Sequence, residues 1–198
     1  MSILNLSAQT GIPLATLQAY MDEDVVGGRD TGQWIGMSVH ADEGKALYAL
    51  VRHYKPLLCV EIGTSEGCGA THILAALEAN GEGELISYDI DPSAGSKIPL
   101  NLAHRHTMVI ADALHAELPR ADFVFEDGEH SYEFNMTVLD KIMRECQPRV
   151  LVSHDLLSHK HYSGFGVLQA WEHFFGFQES DVVELAFTGL AVHIENGL

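Results

Sequence analysis

The chain is short of cations. Eleven Lys and Arg stand against 28 Asp and Glu, a formal charge of −17 over 198 residues. A nucleic-acid surface needs a basic footprint, so that class of partner is excluded and a small-molecule partner is expected. No run approaches the ~20 apolar residues of a membrane span. The start, "MSILNLSAQTGIPL", has neither the basic residues nor the long apolar stretch of a secretory signal, so a cytoplasmic location is expected and no membrane partner. Cysteines are few, odd in number and without C-x-x-C spacing. Cys59, Cys68 and Cys146 therefore read as reduced structural thiols, and a disulfide framework is excluded. Repeats, low-complexity blocks and linkers are also missing. One domain over residues 1–198 is expected, with residues 1–40 forming an N-terminal helix and a covering loop.

A hydrophobic content of 46% is enough for a sizeable core. A short helix is expected over residues 13–21, with Pro13 in its first turn, followed by a polar, Gly-rich loop over 22–36. From Ala41 to Tyr54, Ala46, Leu47, Leu50 and Val51 recur at helical spacing before Pro56. Strands and helices then alternate. The strands are read at 57–62, 85–90, 107–111, 122–126 and 149–153, with helices near 68–80, 93–104, 132–146 and 165–175. Near-continuous apolar strands separated by helices indicate a parallel sheet covered on both faces. The end, "DVVELAFTGLAVHIE", reads as a hairpin about Thr188-Gly189. The expected fold is α/β, a doubly wound seven-stranded sheet, mostly parallel, with an antiparallel C-terminal strand.

Each of the five parallel strands ends in or beside an acid: Glu61, Asp89, Asp112, Asp127 and Asp155. In such sheets the ligand crevice lies outside the carboxyl ends of the strands, so all five are expected at one mouth. A carboxylate row suits a ligand carrying hydroxyls, an amino group and positive charge. In "VEIGTSEGCGA" (60–70), Gly63, Gly67 and Gly69 are spaced G-x-x-x-G-x-G, which is neither the G-x-G-x-x-G dinucleotide fingerprint nor a P-loop. The turn still lets backbone approach a ligand, and Asp89, some twenty residues on, is placed to grip a ribose diol.

At these residues the sequence resembles the class I S-adenosylmethionine-dependent methyltransferases. "VEIGTSEGCGA" is similar to their first motif, which implies a cofactor contact for Glu61 and for the turn residues Gly63, Thr64, Ser65, Gly67 and Gly69. "ISYDIDP" resembles the second, implying ribose binding by Asp89 beside Ile90, and "IADAL" the third, with Asp112 facing the adenine amino group and Ala113 beside the ring. "MSVHADEGKALYALVRHYKP" is similar to the segment preceding the first motif in small O-methyltransferases of the catechol and caffeoyl-CoA type. There Met37 and Ser38 would lie near the methionine end of the cofactor. The resemblance runs from about Met37 to the final hairpin.

A second constellation lies in "FVFEDGEHSYE" and "LVSHDLLSHKH". Asp127, His154 and Asp155, on neighbouring strand ends, can hold one divalent cation with open positions for substrate. His130 is the best-placed general base. The stretch resembles the magnesium-dependent methyltransferases of sugars and related natural products, whose D-G-x-H-x-Y-E motif supplies a metal-binding Asp and a catalytic His, here Asp127 and His130. The caffeoyl-CoA type has Asp-Asn where this chain reads His154-Asp155. Asp127-Gly128 also reads as a plain turn with a helix cap, His154 as a donor to a backbone carbonyl, and Lys160 as an alternative base. Trp34 could cover a ligand from its loop, and Trp171 and Phe174 read as core.

The expected function is transfer of a methyl group from S-adenosylmethionine to a small-molecule hydroxyl, with Mg2+ or another divalent cation as helper. Two alternatives stay open: an NAD-dependent oxidoreductase, disfavoured by the glycine spacing, and a catalytically silent cofactor-binding protein of the same fold. A homodimer formed across the N-terminal helix is also compatible with the sequence.

Overall fold

The structure, a computed structural model, describes residues 2–24, 26 and 39–195. Trp34, Met37 and Ser38 lie outside the described residues. Two helices, α1 (Ser2–Thr10) and α2 (Leu14–Glu23), stand where the sequence indicates one. Leu6 of α1 and Ile12 of the connection are buried as deeply as Leu17 of α2, which is why the first helix forms as well. Asp24, just past α2, meets His72 at 2.6 Å, with both side chains fully buried.

The alternating core follows: α3 (Ala41–Tyr54), β1 (Leu58–Ile62), α4 (Cys68–Asn80), β2 (Glu84–Asp89), β3 (His106–Ile110), β4 (Phe123–Glu126), α5 (Tyr132–Glu145), β5 (Val150–Ser153), α6 (Val167–Phe175) and β6 (Ala191–Ile194). The sheet order is β3-β2-β1-β4-β5-β6, with β6 antiparallel to β5 and all other pairs parallel. The chain reverses its direction across the sheet between β1 and β4, the place where open α/β sheets form their ligand crevice. Alternate residues of β4 separate the two cores. Phe123 and Phe125 pack with α3 and α4 residues, Val124 with those of α5 and α6.

Two expectations need correction. Among the described residues the sheet has six strands, not seven. The first arm of the final hairpin contributes only an isolated bridge, Val183 to Leu190. The carbonyls at its turn, Thr188 and Gly189, accept from the amides of Leu157 and Leu156, so the turn is tied to the segment after β5 and not to a ladder. Nor is there a helix over 93–104. Gly95, at φ +74°, and Pro99 break it into turns. These turns instead back the glycine loop: Gly95 N donates to Ser65 O at 2.8 Å and Lys97 N to Glu66 O at 3.0 Å.

Candidate active site

The turn after β1 is built by backbone. Gly63 has φ +83°, and a Cβ there would lie 2.1 Å from the carbonyl oxygen of Asp127, so β1 and β4 touch where both end. A Cβ on Gly67 (φ +101°) would run into Ile98, and one on Gly69 would sit 2.7 Å from the Phe125 ring and 3.0 Å from Glu61 Oε1. Asp89 Oδ2 accepts from the amides of Thr64 and Ser65 at 2.8 and 2.9 Å, which fixes the turn against the end of β2.

Glu61 departs from the expected row. Its side chain is sunk beneath the turn, 1% exposed, accepting from Thr64 Oγ1 and Ser87 Oγ at 3.0 and 2.7 Å, while Oε1 has no partner. Burial outweighs these two hydrogen bonds and pushes its carboxyl up to about 8. The other four acids line one cavity of about 560 Å³, which runs along the strand ends. Gly63 and Ser65 also line it, whereas Glu61, Thr64, Gly67 and Gly69 do not.

At the β2 and β3 ends the cavity is lined by Asp89, Ile90, Asp112, Ala113 and Leu114. Asp112 accepts from Leu114 N at 2.9 Å and meets His115 Nδ1 at 2.8 Å, contacts that hold its carboxyl below its ordinary value. Ile90 is 75% exposed, an apolar surface offered to the cavity. The β4 and β5 ends supply Asp127, His130, His154 and Asp155, and Phe134, Tyr162, Phe165 and Phe187 add an aromatic wall.

Asp127, His130 and Asp155 each present a ligand atom, all within 4.8 Å of one another. His130 Nε2 stands 3.2 Å from Asp155 Oδ2, and its ring packs on Phe165 at 4.6 Å. The sequence indicates only a base there; the structure draws His130 into the carboxylate cluster. His154 lies behind it, 4% exposed. Its Nδ1 is 3.1 Å from both Asp127 Oδ1 and Asp155 Oδ2, and its Nε2 is 3.0 Å from Glu43 Oε2. The alternative reading of His154 as a donor to a backbone carbonyl is therefore replaced by three carboxylate contacts. Burial would lower the His154 pKa, but Asp127 and then Glu43 reverse this and hold it well above the ordinary imidazole value. Burial likewise works to raise Asp155, yet the His154 hydrogen bond and charge win and bring it to about 2. In Asp127 burial prevails and the carboxyl is raised. Asp155 adopts φ +63°, a left-handed conformation uncommon outside glycine, and Ser158 Oγ donates to its Oδ1. Lys160 pairs with Glu179 and does not line the cavity.

Two buried acids escape the sequence reading. Glu126 is 2% exposed, accepts from Gly128 N at 3.1 Å and is pushed by burial to about 8. Glu43 is fully buried on the first turn of α3 and is held ionised: burial raises its pKa, but the charge and hydrogen bond of His154 lower it further. Glu43 shares a helical face with Ala46, Leu47 and Leu50, and an acid on an apolar stripe is the signal that would have found it.

A doubly wound sheet whose strand-end acids surround one cavity at the switch point has the crevice in which open α/β sheets bind their ligands. Residues 60–156 match the family described as a methyltransferase domain. The matched stretch runs from β1 to just past β5, and the fold is the Rossmann-like one seen in solved methyltransferases. Among solved structures it is similar to the O-methyltransferase TomG of Streptomyces achromogenes, involved in tomaymycin synthesis and solved with S-adenosylmethionine. That match has 17% identity over 92% of this chain and 90% of that one, with a TM-score of 0.61. An O-methyltransferase from Bacillus cereus, in complex with S-adenosylhomocysteine, matches at 18% identity over 86% and 82% of the two chains, TM-score 0.57. The Podospora anserina methyltransferase PaMTH1, also bound to S-adenosylhomocysteine, matches at 12% identity over 93% and 89%, TM-score 0.60. No curated protein matches the chain in sequence.

Proposed function

We propose that the protein transfers a methyl group from S-adenosylmethionine to a hydroxyl of a small-molecule acceptor, with a divalent cation at the β4 and β5 ends. The observation that carries this is the single cavity in which ribose- and adenine-type partners at one end are continuous with a carboxylate and imidazole cluster at the other. The donor set fits both groups: hydroxyl-accepting carboxylates and an apolar wall for the nucleoside, and for the cation converging Asp127, His130 and Asp155 atoms with His154 Nδ1 3.1 Å from both acids. The bound groups supply an electrophilic methyl on sulfonium and a lowered pKa at the acceptor oxygen.

The chain's own residues do the rest. Asp89 accepts from ribose hydroxyls while its Oδ2 keeps the glycine turn in place. Asp112 accepts from the adenine amino group, with Ile90, Ala113 and Leu114 covering the base. Asp127, His154 and Asp155 would hold the cation, and the aromatic wall excludes water from the acceptor. His130 takes the hydroxyl proton, and Asp155 at 3.2 Å from its Nε2 stabilises the imidazolium formed. In the same reading the acceptor is neither nucleic acid nor lipid surface. The protein works in the cytoplasm as one domain, and it pairs as a homodimer. No helix among the described residues is long and apolar enough to cross a membrane.

Calorimetric titration with S-adenosylmethionine and with NADH, followed by labelled methyl transfer to a panel of hydroxylated compounds, tests this. His130→Ala is expected to lower kcat by about 10²- to 10⁴-fold while cofactor affinity is kept. Tight NADH binding with no response to S-adenosylmethionine would reverse the reading, and unchanged turnover in His130→Ala would remove the base.

A further inference from the structure

Glu43 has no part in the reaction as set out above, yet it is fully buried beneath the carboxylate cluster. Its oxygens accept from Thr188 Oγ1 at 2.8 Å and from Gly189 N at 2.9 Å, and Oε2 faces His154 Nε2 at 3.0 Å. Its helix is seated without slack: at the next residue, Gly44, a Cβ would stand 2.2 Å from the His72 ring. A carboxylate only accepts, so the contact with Glu43 fixes a proton on Nε2. The other ring nitrogen, Nδ1, faces Asp127 Oδ1 and Asp155 Oδ2, 3.1 Å from each; these too only accept, so without a cation Nδ1 also carries a proton, which a bound dication would displace.

An imidazole that ligates through one nitrogen while giving the other N–H to a carboxylate is the usual support for a metal-bound histidine, because the carboxylate sets the tautomer, the ring orientation and the basicity. We propose that Glu43 is a positioning residue that presents His154 Nδ1 as a nitrogen ligand beside Asp127 and Asp155. The site then takes a first-row transition-metal dication such as Mn2+ or Co2+ in preference to Mg2+. This rests on the cation site proposed above. Mg2+ favours an all-oxygen, near-octahedral shell and gains little from imidazole, whereas the later dications gain affinity from nitrogen in the order of their ligand preference. Burial of His154 and Glu43 together keeps water from replacing either contact.

The test is calorimetric titration of the full chain with MnCl2 and MgCl2, with the absorption spectrum of protein-bound Co2+ and thermal unfolding measured alongside. The wild type is expected to bind Mn2+ at least about tenfold more tightly than Mg2+, and Asp127→Asn to abolish both. Glu43→Gln is expected to weaken Mn2+ by roughly 10- to 100-fold, to weaken Mg2+ less, and to change the Co2+ spectrum in the same way as His154→Ala. If Glu43 only braces α3 against the 188–189 turn, Glu43→Gln lowers thermal stability and leaves the Mn2+ to Mg2+ ratio and the Co2+ spectrum unchanged, which overturns the proposal. Equal affinity of the wild type for the two ions, lost in Asp127→Asn, overturns the proposal and leaves the cation site standing. No binding of either ion by the wild type removes the site and the proposal together. Should Glu43→Gln fail to fold, Thr188→Val deletes the hydroxyl that donates to both Glu43 oxygens. It is expected to reduce the Mn2+ preference in the same direction, and an unchanged preference counts against the proposal.

Discussion

At the scale of single residues, two carboxyl groups, Glu61 and Glu126, are buried on opposite faces of adjacent strands and held to about 8 by that burial. Their folded values lie above the unfolded value of 4.5, so the folded state binds the extra protons. The stability they contribute is fully present below pH 4.5 and is lost as pH rises toward 8. Each costs about 1.4 kcal/mol per pH unit across that window, as an order of magnitude. Thermal unfolding followed from pH 5 to pH 7.5 should therefore show a falling melting temperature, and Glu61→Gln should flatten the slope. An unchanged slope would mean that Glu61 is ionised in the fold. Asp155, at about 2, acts in the opposite direction, and its contribution disappears only in strong acid. The position of Glu61 at a strand end was legible in the sequence, but its burial was not. Alternation tells which face a residue occupies, while depth depends on the α4 packing that Gly69 permits.

At the scale of elements, most of the layout was legible because apolar period and breakers agree. The helix over 41–54 was marked by its spacing and Pro56, and the one over 68–80 by flanking glycines. The segment 93–104 misled because Leu100, Leu102 and Ala103 suggest a periodic face, although Gly95 and Pro99 within it break a helix. Its irregular path has a use, since Ile98 packs where Gly67 has no side chain and the amides of Gly95 and Lys97 hold the turn from behind. Ile98→Ala is expected to cost about 1–3 kcal/mol of stability and to weaken S-adenosylmethionine binding several-fold, measured by denaturant unfolding and calorimetry. Unaltered cofactor affinity in a destabilised variant would separate the segment from the site. The aromatic wall from Phe134, Tyr162, Phe165 and Phe187 was hidden for a related reason: it is gathered from the first turn of α5 and two connections that carry no common pattern.

At the scale of the whole molecule, the charge of −17 and the six acids lining the cavity give a mouth that favours a cationic ligand over its neutral counterpart. S-Adenosylmethionine carries a sulfonium charge that S-adenosylhomocysteine lacks. Raising salt from 0.1 to 1 M shortens the Debye length from about 10 to about 3 Å. The ratio of the two affinities should therefore fall over that range, most steeply in the contribution from acids beyond direct contact. A ratio independent of salt would confine discrimination to groups touching the sulfur.

The missing side chain at Gly63 has a consequence for how the two reacting partners are kept in line. The carbonyl of Asp127 occupies that gap, the amide of Asp127 bonds to Ile62 O at 2.8 Å, and Gly63 N bonds to Tyr88 O at 2.9 Å. Peptide groups, not rotamers, thus set the spacing between the glycine turn and Asp127, which in the proposed reaction serve the donor and the acceptor. The sheet acts as a fixed ruler between giver and receiver, and its length cannot drift with side-chain motion.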